Sequence, residues 1–133
     1  GYLRRGVAIN YGSGTYTAAI WENVNVEAGQ YSGGLIGELA TETGGRAYNI
    51  NKVQILESVQ SKGSSQVGGG IIGRASSGQT ITIKDCSVNT SNIKASSAGG
   101  IVGYLLTSAT ITGCTVSGSN SNNSKIEGNN CAS

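Results

Sequence analysis

Gly33-Gly34-Leu35-Ile36-Gly37 returns as Gly69-Gly70-Ile71-Ile72-Gly73, and again as Gly99-Gly100-Ile101-Val102-Gly103. The offsets are 36 and 30 residues. Repetition at such a period marks a stack of small units, none of which can bury its apolar face alone. A second block follows each glycine string. Ile83, Cys86 and Val88 are matched by Ile111, Cys114 and Val116 at a constant offset of 28, and Ile50, Val53 and Ile55 keep the same spacing. Trp21, Val24 and Val26 are a worn earlier copy, and Val59, Ile93 and Ile126 close the unit. The chain is thus about four copies of one unit of roughly 30 residues.

The unit reads as a coil of β-strands. Its apolar residues are mainly Ile and Val, which suit a pleated surface. Thr80-Ile81-Thr82-Ile83 and Thr110-Ile111-Thr112 alternate with period two. Gly and Ser/Thr/Asn runs interrupt the pattern too often for helices of ordinary length. The expected fold is an all-β, right-handed parallel β-helix (β-solenoid) of about four coils, the hand following from the general rule for parallel crossovers. Residues 1–30 read as an irregular N-terminal segment with the first coil, and residues 31–133 as one continuous repeat domain.

In such a stack each apolar position becomes a ladder, with rungs about 4.8 Å apart. The expected core ladder is Ile50, Val53, Ile55, Ile83, Cys86, Val88, Ile111, Cys114 and Val116, headed by Trp21 above Ile50, Val24 above Val53 and Val26 above Ile55. Gly33, Gly34, Gly37, Gly69, Gly70, Gly73, Gly99, Gly100 and Gly103 are expected at sharp turns, where glycine reaches positive φ and lets backbones approach closely. Cys86 and Cys114 are expected as stacked thiols, with Cys131 outside the ladder, and three cysteines leave at least one unpaired within the chain.

The three glycine strings, together with Ile111-Thr112-Gly113-Cys114-Thr115-Val116, resemble the Glug-motif repeats over about residues 31–118. The resemblance implies a β-solenoid stalk or binding surface in a large bacterial surface or secreted protein, such as an adhesin-like protein or part of a secreted peptidase. It carries no agreed catalytic residues, so none is transferred.

Composition narrows the function classes. With no His among the 133 residues, neither a Ser-His nor a Cys-His nucleophile can be built, and imidazole metal ligation is excluded. Net charge is +2 with 12% charged residues, against nucleic acid binding. No apolar run is long enough to span a membrane as a helix. Gly1 in place of Met reads as a processed chain or a piece of a longer one. The expectation is a non-enzymatic, cofactor-free structural or adhesive segment, secreted or at the cell surface, able to stack end to end as a rod or filament. Its expected partners are neighbouring coils of the same or an identical chain, glycans, or a host surface protein. Competing readings are a carbohydrate-binding or carbohydrate-active β-helix and an ice-binding solenoid, the last resting on Thr80, Thr82, Thr110 and Thr112. Tyr31, Tyr48 and Tyr104 are candidate surface-binding residues, and Asn89 and Asn122 open candidate glycosylation sequons.

Overall fold

The computed structural model describes residues 30–41, 43, 46–56, 60–62, 67–90, 92–118, 125–127 and 130–132, with the strand segments 2–3, 9–10, 19–22 and 25–27 ahead of them. Among the described residues every regular element is a strand. The chain visits five strand columns in a fixed order. The first column holds Tyr31–Gly33, Val67–Gly69, Ser97–Gly99 and Asn130–Ala132. The second holds Ile36–Leu39, Ile72–Ala75 and Val102–Leu105. The third holds Arg46–Asn51, Gln79–Lys84 and Ser108–Thr112. The fourth holds Ala19–Glu22, Val53–Leu56, Ser87–Thr90 and Thr115–Gly118. The fifth holds Asn25–Glu27, Gln60–Lys62, Asn92–Lys94 and Lys125–Glu127. Strands within these columns pair in parallel, so three full circuits stand between a partial circuit before them and the start of another after them. This is the parallel β-solenoid of about four coils that the repeat predicts.

Alternation within each strand sends Ile and Val inward. In the second circuit Ile71, Ile72, Ile81, Ile83, Val88 and Ile93 are fully buried. Ile50, Ile83 and Ile111 are register partners, as are Ile55, Val88 and Val116. The rungs above them differ from the spacing rule. Trp21 pairs with Ile55, not Ile50, and Val26 pairs with Ser61 in the fifth column, not with Ile55. The place beside Ile50 is taken by Ile9, on a strand of opposite direction. Spacing alone cannot detect such a shift, because 21-24-26 and 50-53-55 are the same pattern. Val24 and Val59 lie outside the described residues. Ile93 and Ile126 are partners in the fifth column.

The glycine strings sit at the corner between the first and second columns. Across this corner the coils remain paired: the Ile71 carbonyl accepts from the amides of Leu35 and Ile36, and the Ile101 carbonyl accepts from those of Ile71 and Ile72. The need for glycine here is spatial, not conformational. Among the described glycines, positive φ falls at Gly78 and Gly113 and at none of the repeat glycines. A Cβ on Gly33, Gly69 or Gly99 would lie 2.0, 1.9 or 2.0 Å from the carbonyl oxygen three residues on. One on Gly73 would lie 2.5 Å from the Gly37 oxygen and 2.6 Å from the Ser32 oxygen, in the coil before.

A second corner, between the third and fourth columns, does use left-handed backbone. Lys52, Asp85 and Gly113 are equivalent in the three circuits, with φ of 56°, 52° and 63°. The amides of Lys52 and Asp85 donate to Lys84 and Thr112 of the following coil, at 3.0 Å each. Lysine carries a steric cost there that glycine does not.

Beside this corner Cys86 and Cys114 are free thiols stacked on successive coils, Cys86 buried and Cys114 half-buried. Burial pushes the Cys86 thiol up to about 11 from an ordinary 9.0; the Val53 amide, which donates to its Sγ, pulls the other way, and Cys114 reinforces the rise.

Three outcomes follow from these corners. Gly69→Ala is expected to cost about 3 kcal/mol, as overpacking against backbone does. Gly37→Ala, whose Cβ comes no closer than 3.1 Å to the Tyr31 oxygen, is expected to cost clearly less; chemical unfolding of the two variants checks the order. Lys52→Asn is expected to raise stability by about 1 kcal/mol in the same measurement, since Asn tolerates left-handed backbone. The raised Cys86 pKa makes its contribution to stability complete below about pH 9 and lost as pH rises through about 11. A thermal melt series across that window should therefore fall less steeply for Cys86→Ala than for the parent.

Candidate functional site

The described carboxylate side chains do not converge. Glu38 stands on the second column and Asp85 at the corner between the third and fourth, and among the described residues no three His, Cys, Asp or Glu side chains group as metal ligands would. The threonine patch is small. Thr82 and Thr110 are register partners, but Asn49 precedes them, and Lys84 stands beside Thr112. That is not the regular outward array an ice-binding face requires.

The tyrosines separate. Tyr48 is half-buried: it pairs with Ile81 and packs against the core, because positions 48 and 50 point inward just as 81 and 83 do. Tyr31 and Tyr104 stand outside, near the glycine corner, where they flank Arg74 around an open groove. Asn89 is half-buried in a strand paired on both sides. Asn122 lies outside the described residues.

The two ends of the stack differ, which the sequence does not suggest. At the N-terminal end, Tyr2–Leu3 runs antiparallel along Ala19–Glu22, and Ile9–Asn10 runs antiparallel along Arg46–Asn51. These strands cover the edges of the fourth and third columns as a partial cap. At the other end Ser108–Thr112 and Thr115–Gly118 are the last strands of their columns.

The core opens there. Ile111 and Val116 are 43% and 41% exposed, whereas Ile83 and Val88, one coil below, are fully buried. Of the last rungs of the expected core ladder, Cys114 is half-buried and packs against the core, while Ile111 and Val116 lack a coil on one side and are partly open. Ile101, Val102, Leu105, Ile111, Val116 and Ile126, with Gly100 and Cys114, line a concavity of about 780 Å³. It is an apolar floor framed by strand edges, with inward side chains at solenoid spacing. Chemically it can take up apolar side chains while its rim pairs with backbone. Sequence reasoning named Ile111, Cys114 and Val116 but missed that Ile111 and Val116 are exposed. The signal available was their position in the last copy of the block.

No curated protein and no solved structure matches the chain significantly. A family model does match, that of the GLUG motif, over residues 94–126. The matched stretch is one circuit of the solenoid, since Ile126 at its end is the register partner of Ile93, the residue just before its start. The chain therefore carries a GLUG motif, whose glycine string and inward ladder recur in the two circuits before it.

Proposed function

We propose that this chain is a structural and adhesive segment of a secreted or cell-surface protein, a solenoid rod that displays a surface and performs no turnover. The observation that carries this reading is the open coil end. Ile111 and Val116 are more than two-fifths exposed at positions that the two full circuits before them bury. Leu105, also on this last circuit, is 40% exposed. Contiguous apolar surface framed by unpaired strands is a docking face. The matching occupant is a further coil of the same kind, whose Ile and Val continue the ladders and whose backbone continues the pairing. It comes from more of the same protein or from a second copy.

The partial N-terminal cap gives this assembly a direction. At that end the first, second and fifth columns begin with parallel strands, while the third and fourth are covered by the antiparallel pair. A further coil therefore adds beside Ile111 and Val116, continuing the parallel columns.

Sedimentation tests the reading. The chain is expected to sediment as larger species with rising concentration. Val116→Lys, which puts an ammonium on the open floor while leaving the buried circuits intact, is expected to remain a monomer with the same circular dichroism spectrum. A parent chain that stays monomeric throughout the range would overturn self-assembly through this face.

A further inference from the structure

The groove at the glycine corner has a different chemistry from the open end. Tyr31, Val67 and Ser97 share one register position on the first column. Glu38, Arg74 and Tyr104 share one on the second. The sharp glycine corner brings these two outward ladders side by side, around a groove of about 350 Å³ lined by Tyr31, Val67, Arg74, Ser97 and Tyr104.

Arg74 is the centre of it. Its guanidinium carbon lies 4.9 Å from the centroid of the Tyr31 ring, within cation–π range. Its Nη1 donates to the Tyr31 hydroxyl and lies 3.5 Å from a Glu38 carboxylate oxygen. That separation is long for a charge-assisted hydrogen bond, and both groups are partly exposed, so the pair holds the guanidinium only loosely. Nε is buried and has no partner. The cation is thus oriented by Tyr31 while its terminal Nη groups, not the buried Nε, keep donors for a ligand, and Tyr104, 46% exposed, stands on the next coil.

We propose that this groove is a binding site for an acidic sugar, a uronic acid or similar residue of a polysaccharide. The carboxylate would be held by the Arg74 guanidinium, the apolar face of the ring by Tyr104, and hydroxyls by Ser97 and Tyr31. A planar, always-charged fork suits a carboxylate, and an exposed tyrosine ring offers an apolar face with a polar rim. A peptide in strand form fits less well. Arg74 and Ser97 lie on strands paired on both sides, so the centre of the groove offers no backbone edge to extend. The proposal rests on reading the solenoid as a displayed surface, but it does not need the coil ends to associate.

The test is an NMR titration of the full chain with an oligogalacturonate and with its methyl ester, in which the carboxylates are masked. Shifts are expected at the amides of Tyr31, Arg74, Ser97 and Tyr104 with the acid, and none with the ester. Arg74→Gln should weaken binding by about tenfold or more, the scale of one lost charged hydrogen bond. Arg74→Lys should rescue it in part, and Tyr104→Ala should weaken it without changing the preference for the acid. Val116→Lys, which leaves this groove untouched, should bind as the parent does, so a failure of end-to-end assembly would not be confused with a failure here. Equal binding of acid and ester, binding that survives Arg74→Gln, or equal shifts from a peptide with a free C-terminal carboxylate would each overturn the proposal. So would the absence of shifts at these four residues.

Discussion

Everything in this molecule depends on a corner that has no room for a Cβ atom. Where the first column turns into the second, the Gly69 Cα faces the Ile72 carbonyl so closely that a methyl group would sit 1.9 Å from its oxygen. The same contact recurs at Gly33 and Gly99. The later glycine of the string, Gly73, lets its strand approach the backbone of the coil before it. Tight turning within a coil and close approach between coils are therefore one steric requirement. It is met by a five-residue string repeated in every circuit.

Once that corner is fixed, the rest of the coil is a matter of pairing and burial. Backbone groups at the corner are paired from coil to coil even outside the strands, so the turn does not leave buried polar groups stranded. The inward Ile and Val then stack upon their equivalents. A middle coil has a neighbour on each side and buries its ladder completely, while the last coil has one neighbour and leaves Ile111 and Val116 open. The exposure of Ile111 and Val116 is what the missing neighbour on one side produces. The N-terminal end avoids part of this by turning two short strands antiparallel across its edge, which no further parallel coil can continue in register.

The same corner shapes the outer surface. By folding the second column back beside the first, it places a guanidinium from one ladder against a tyrosine ring from the other. Arg74 and Tyr31 stand on different ladders and meet only across the corner. A rod built this way carries its outward side chains in ranks, and a departure from the rank, such as Glu38, Arg74 and Tyr104 in succession, makes a local site on a regular scaffold.

The sequence by itself determined the parallel stack, the circuit length and the ladders of the three complete circuits. Each of those is a translation from one copy to the next, and a repeated sequence is the direct record of a repeated translation. Gly33, Gly69 and Gly99 could be aligned by eye and are aligned in space. What only the tertiary structure decided is whatever breaks or crosses that translation. Trp21 pairs with Ile55 because an antiparallel strand, invisible to any repeat, occupies the place beside Ile50. Tyr48 lies inward by strand alternation although its residue type suggests a surface. Arg74 meets Tyr31 across 43 residues of chain, through a corner whose angle no spacing encodes. The burial of Val116 depends on a neighbouring coil and not on its own identity, and so could be read only from where its circuit stands in the stack.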